Sequence, residues 1–122
     1  MAPWSLTKEA WEELSKEGKG RVIFLVSLSG KRSKSNLAGY SMSKFALMGL
    51  CQTIRNEGWD KGIRVTAICP GWVNTEMASG VNSISKEKMT QPNEVASIVS
   101  NVLTLPNTCI PFEISVNCNL EV

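Results

Sequence analysis

The sequence predicts an α/β protein built on a parallel sheet of about three strands, in the order strand, helix, strand, helix, strand. Three observations predict it. Arg21 to Ser29 is a nearly continuous apolar run, the signature of a strand buried on both faces. From Tyr40 to Glu57 the residues Met42, Phe45, Ala46, Leu50 and Ile54 recur at helical spacing. Ile63 to Cys69 is a second apolar strand, closed by Pro70-Gly71. This alternation is the order that produces parallel pairing through right-handed crossovers.

The remaining elements follow from local signals. Residues 1–20 read as a helical lead-in, with a helix from Thr7 to Lys16 that Thr7 caps and that Gly18 and Gly20 end. Gly30 to Gly39 is polar and rich in serine, lysine and glycine, hence a loop; its lysines and arginine read as a solvated turn. Gly58 and Gly62 bracket the end of the long helix, and a mixed loop runs to Thr90. Pro92 stands where a first-turn proline belongs, and Glu94 suits the positive amino-terminal end of a helix reaching Leu105. Phe112 to Cys118 alternates and predicts a third strand. The chain reads as a single domain, a lead-in followed by a βαβαβ core over residues 21–122. Three strands are few for a sheet buried on both faces, and one edge would be bare, so the chain is expected to need a partner.

Composition narrows the chemistry. The chain has 122 residues, no histidine and a formal net charge of +2. Histidine triads and histidine-bound metals are therefore excluded, and the charge is too small to predict a nucleic-acid or membrane surface. Cys51, Cys69, Cys109 and Cys118 show no C-x-x-C pairing and no metal spacing, so no metal site is expected. Unpaired cysteines imply a reducing compartment, and no run approaches a membrane span, so a cytoplasmic location is expected. Trp4, Trp11 and Trp59 read as packing residues. Trp72 either packs under its loop or contacts a substrate.

The chemistry-bearing residues are Tyr40 and Lys44, in Tyr40-Ser-Met-Ser-Lys44, with Ser27 thirteen positions before Tyr40. Residues four apart share a helix face, so the phenol and the ammonium become neighbours. A phenol titrates near ~10 and is a poor acid or base at neutral pH. A nearby cation favours the phenolate and brings it toward the working range of acid–base catalysis. Ser27 ends the first apolar run, at the carboxyl end of a strand, where open α/β sheets gather ligand-facing groups. A bare Tyr-x-x-x-Lys occurs in many helices by chance. Ser27 and a Pro70-Gly-Trp-Val-Asn-Thr75 turn after the next strand make the set specific.

This set resembles the short-chain dehydrogenase/reductase family, and Cys69 to Ala78 is most similar to its carbonyl-reductase branch. The resemblance implies a three-layer Rossmann-like fold, of which the chain holds a partial, three-stranded unit. It implies a carbonyl/alcohol oxidoreductase that uses NADP or NAD and acts on a small-molecule carbonyl or alcohol. Tyr40 would be the acid/base, Lys44 would lower its pKa and bond the nicotinamide ribose, and Ser27 would polarise the substrate oxygen. Pro70, Gly71, Val73 and Thr75 would hold the nicotinamide carboxamide. The family's glycine-rich phosphate turn and its Asn-Asn-Ala-Gly segment are not among these residues. This predicts a fragment or a shortened form, with weak dinucleotide binding by the chain alone. The family's long interface helix, which supplies a fourth catalytic residue, is also missing between the lead-in and the Ser27 strand, while the family helix that matches Tyr40–Glu57 helps form a dimer interface, which implies a homodimer or higher homo-oligomer. Two functions stay open: an oxidoreductase, or an inert homologue that acts only as an oligomerising module.

Overall fold

The computed structural model describes residues 2–26, 37–75 and 85–118. The lead-in is α1 (Ala2–Glu9) and α2 (Trp11–Ser15). It is followed by β1 (Arg21–Leu25), α3 (Leu37–Gly58), a 3-10 turn (Trp59–Lys61) and β2 (Arg64–Pro70). A second 3-10 turn (Lys86–Lys88), α4 (Pro92–Leu103) and β3 (Glu113–Val116) complete the order. The three strands form one parallel sheet, β1-β2-β3, with Val22 beside Val65 and Ala67 beside Glu113.

Central β2 is buried from Val65 to Pro70, because it has a strand on either side. One face of the sheet carries Val26, Val65, Ala67 and Cys69, which pack with Cys51 and Ile54 of α3. Val22 and Phe24 alternate onto the same face, and Trp4, Trp11, Leu47, Met48, Leu50 and Phe112 close over it. Trp4 and Trp11 are thus packing residues, as expected. Trp59 instead lies exposed, with the guanidinium of Arg64 3.7 Å from its ring centre.

Four expectations require correction. The lead-in helix begins at Ala2 rather than Thr7, because Pro3 is the first-turn residue and Thr7 lies one turn in. Thr7 is buried and its hydroxyl donates to Pro3 O at 2.6 Å, so it caps nothing. Helix α3 begins at Leu37, inside the expected loop of residues 30–39; residues 30–36 of that loop lie outside the described ones. The expected burial of β1 on both faces is not met: its residues are half-buried and Leu25 is 59% exposed. β1 is an edge strand of this sheet, so the apolar sequence exceeds the cover that the described residues provide.

The amino-terminal ends of the strands are tied together by Asn107. Its Nδ2 donates to Gly18 O at 2.9 Å and Gly62 O at 3.0 Å, while Arg21 Nη1 donates to its Oδ1. Arg64 Nε donates to Asn107 O at 3.2 Å. Gly62 has φ +78, and a Cβ there would sit 2.0 Å from Gly18 O, so glycine is required on both counts. This end is fixed, which leaves the carboxyl ends of the strands to present chemistry.

Candidate active site

A helix joining two parallel strands runs back against them, so the first turns of α3 lie at the carboxyl ends of β1 and β2. Tyr40 and Lys44 are in those turns. Lys44 and the fully buried Cys51 are seven residues apart and therefore share the face turned to the sheet. The Lys44 ammonium crosses that face to Glu113, the first residue of β3, with Nζ 3.7 Å from Oε1. Glu113 Oε1 also faces the Cys69 thiol, which donates to it across 3.9 Å. Burial pushes the Cys69 thiol up from its ordinary value; the Glu113 carboxylate adds to the rise and the Lys44 cation opposes it. Cys51 is pushed up to about 11, chiefly by burial and then by Cys69. These are inert, protonated core thiols, not nucleophiles.

The loop after β2 is held from two sides. Gly71 N–H donates to Val116 O at 2.8 Å, continuing the sheet. Thr90 N–H donates to Trp72 O at 3.0 Å and Asn74 N–H to Thr90 O at 2.9 Å, an isolated parallel bridge centred on Val73. In such a bridge the central residue's own N–H and C=O point away from the partner. Val73 therefore presents its peptide groups on the side opposite Thr90. Trp72 is buried with Met89 and Cys118, so it packs under the loop, the first of its two expected roles. Thr75 is exposed at the end of the described loop.

Of the expected site residues, Pro70, Gly71, Val73 and Thr75 lie at and beyond the carboxyl end of β2, while the Lys44 ammonium reaches Glu113, which pairs with Ala67 in the middle of β2. Ser27 and the Tyr40 side chain lie outside the described residues. Val26, immediately before Ser27, donates to Ile68 O at 2.8 Å, extending the pairing of β1 one step past its last strand residue. Two residues escaped the sequence reading. Asn74 carries the loop's side-chain anchor, donating from Nδ2 to Gln91 Oε1 at 3.0 Å. Glu113 is the partner of Lys44. Its signal was available in the alternation of Phe112–Cys118, which sets Glu113 and Ser115 on a common face, but a lone charge in such a pattern reads as solvent-facing.

The chain belongs to the short chain dehydrogenase family, whose model matches residues 1–86. It is similar to an agropine synthesis reductase of Rhizobium rhizogenes, 39% identical over 121 residues, 99% of this chain and 28% of that protein. An acetoacetyl-CoA reductase of Allochromatium vinosum is 30% identical over 106 residues, 80% of this chain and 43% of the relative. Among solved structures, a betaketoacyl-ACP reductase from Bacteroides thetaiotaomicron matches with TM-score 0.79 and 28% identity, covering 97% of this chain and 50% of its own. An alcohol dehydrogenase from Thermococcus sibiricus, complexed with 5-hydroxy-NADP, matches with TM-score 0.74 and 26% identity over 97% of this chain and 49% of its own. The chain thus spans less than half the length of these curated relatives. Among the described residues no helix is long and apolar enough to cross a membrane.

Proposed function

We propose that this chain carries the proton-transfer half of a nicotinamide-dependent carbonyl/alcohol oxidoreductase. The observation that carries the reading is the Lys44 ammonium, one turn after Tyr40 on α3, directed over the sheet toward β3 at 3.7 Å from Glu113. A nicotinamide dinucleotide supplies the hydride when bound. Tyr40 gives the proton to the carbonyl oxygen in reduction and takes it from the alcohol in oxidation. Lys44 supplies the positive charge that makes the phenolate accessible. Ser27 donates a hydrogen bond to the same substrate oxygen. The Val73 peptide groups, with Thr75, suit a carboxamide, since the Gly71 N–H, Trp72 C=O and Asn74 N–H are already bonded to Val116 and Thr90 and the Val73 groups point the other way. NADP and NAD both fit these residues, because the carboxamide end is common to the two.

The cytoplasm suits the four free cysteines. The outer face of α3 leaves Phe45 80% and Met42 72% exposed, which supports a homodimer packed through that helix.

Tyr40 is the sole tyrosine of the chain, so its ionisation can be followed by phenolate absorbance without cofactor or substrate. The wild-type phenol is expected to titrate below ~10, and Lys44→Met to return it to the ordinary value. A phenol with an ordinary midpoint that Lys44→Met leaves in place would sink the reading.

A further inference from the structure

We propose that Gln91 is a positioning residue: its single side-chain amide braces both sides of the Val73–Thr90 bridge and so aims the Val73 peptide groups. The proposal deepens the function proposed above and rests on the Val73–Thr75 loop being its carboxamide site.

Gln91 occupies the N-cap of α4, a place that ordinarily favours a short side chain bonded to the helix's own first turn. Here Glu94 serves that turn, its Oε1 accepting from the Gln91 N–H at 2.8 Å, and Pro92 brings no N–H to be satisfied. The Gln91 amide leads away from the helix instead. Its Nε2 donates to Lys86 O and Met89 O, each at 3.1 Å, and its Oε1 accepts from Asn74 Nδ2 at 3.0 Å. Thr90 lies between Met89 and Gln91, so the two donated bonds fix the stretch that offers Thr90 to the loop. The accepted bond fixes Asn74, the residue after Val73, on the other side. One amide therefore braces both partners of the bridge in which Thr90 N–H meets Trp72 O and Asn74 N–H meets Thr90 O.

The polarity of this brace is set by its chemistry. Two carbonyl oxygens can be met only by the NH2 end of the amide, which leaves the amide oxygen for Asn74. Asn74 must then donate, and its own amide is oriented in turn. Trp72 also packs with Met89 and Cys118, which brings the loop and the segment before α4 together. Apolar packing is non-directional and does not set how one stretch is rotated against the other. Hydrogen bonds, with their preferred angles, do. The central residue of a parallel bridge points its peptide groups away from the partner, so the rotation of the loop decides where the Val73 N–H and C=O point. A carboxamide bonded to them takes its orientation from theirs.

The test is a cycle of four folded chains, wild type, Asn74→Ala, Gln91→Ala and the double variant, read by amide hydrogen exchange at Asn74 and Thr90. Asn74→Ala, which loses one neutral bond, is expected to lower protection about fivefold. Gln91→Ala, which loses that bond and the two on the Thr90 side, is expected to lower it roughly fiftyfold. In the Asn74→Ala background it should still lower protection about tenfold, whereas Asn74→Ala should do nothing further once Gln91 is gone. Equal effects of the two single variants, with no further loss in the double variant, overturn the proposal, because Gln91 is then only the far end of the Asn74 bond. An equal loss of protection at Val65 to Cys69 also overturns it, because Gln91 then holds the fold and not the loop. Gln91→Glu keeps the acceptor and removes both donors. It serves as the second variant should the alanine variant fold poorly, with about a tenfold loss expected at Thr90.

Nicotinamide mononucleotide is the binding probe, followed at millimolar concentration by the amide resonances of Val73 and Thr75. Its Kd is expected to rise about threefold to tenfold in Gln91→Ala, through loss of a preset loop. An equal Kd in wild type and variant overturns the positioning role whatever the exchange shows. Shifts at Val73 and Thr75 that persist while the exchange cycle fails overturn the brace and leave the carboxamide site intact. Absence of those shifts in the wild type removes the carboxamide site and this proposal together, and the Tyr40 titration given above decides the proton-transfer role separately.

Discussion

Asn74 donates from Nδ2 to Gln91 Oε1 at 3.0 Å, and through that bond the loop after β2 is fastened to the start of α4. Gln91 is itself fixed. Its Nε2 donates to Lys86 O and Met89 O, each at 3.1 Å, and its backbone N–H donates to Glu94 Oε1 at 2.8 Å. Glu94 thereby closes the first turn of α4 behind Pro92. The loop that presents Val73 is thus positioned by a helix cap as well as by the strand it leaves.

Replacing Asn74 with alanine should weaken that fastening by about 1 kcal/mol, the usual worth of one neutral hydrogen bond. The expected result is faster amide hydrogen exchange at Asn74 and Thr90, whose N–H groups form the Val73 bridge, with no change at Val65 to Cys69. Unchanged exchange at Thr90 would show that the backbone bridge holds the loop without its side-chain anchor.

The sequence revealed those elements whose pattern depends on their own residues. α4 and β3 were found because Pro92, Glu94 and the alternation after Phe112 act locally, and the structure trims each by only a few residues. The lead-in was misread because Thr7 looks like a cap. The bond it makes to Pro3 O shows that a hydroxyl one turn inside a helix satisfies itself on the preceding turn. β1 was misread for a different reason. Val22 to Val26 describes a strand covered on both faces, and among the described residues β1 lies at the edge of the sheet with Leu25 59% exposed. Within the candidate site, Lys44 and the Val73 loop were legible through motif spacing. Glu113 and Asn74 were not, because their meaning arises only when β3 meets α3 and when the loop meets the cap of α4.

The buried thiols predict an alkaline limit to stability. Cys51 is pushed up to about 11 from an ordinary thiol value of 9.0, first by burial and then by Cys69. A raised folded value means that the folded state holds its proton more tightly than the unfolded one. The associated stability is complete below pH 9.0 and is lost as pH climbs toward about 11. Denaturant midpoints should therefore fall across that window. At neutral pH, iodoacetamide should modify the exposed Cys109 first and reach Cys51, Cys69 and Cys118 only on unfolding, as mass spectrometry can read. Rapid labelling of Cys51 in the folded protein would contradict its burial.

The proton-transfer role of Tyr40 makes a kinetic prediction. Tyr40→Phe keeps the ring and removes the transferable proton. In any assembly of this chain that shows reductase activity, kcat should fall by about 10²–10⁴-fold, with the unfolding midpoint little changed. A variant that keeps most of its activity would assign the proton to another group. Ser27→Ala should lower the rate as well, through loss of one donor to the substrate oxygen.

The outer face of α3 makes the last prediction. Met42 and Phe45 are three residues apart, hence neighbours on the helix surface, and they are 72% and 80% exposed. Leu47, Met48 and Leu50 of the same helix turn the other way, into the core. A helix with apolar residues on both its inner and outer faces has more apolar surface than one sheet can cover. A two-fold dimer through α3 covers the outer pair with its own copy in the partner subunit. Light scattering at tens of micromolar should report a mass above that of one chain. Phe45→Glu should shift it to the monomer mass while leaving the circular dichroism spectrum unchanged, because the side chain makes no part of the core. A wild-type protein that stays monomeric at that concentration would end the proposal. An oligomer that Phe45→Glu leaves intact would move the interface elsewhere, to the outer edge of β1 in the described sheet, where Leu25 is 59% exposed.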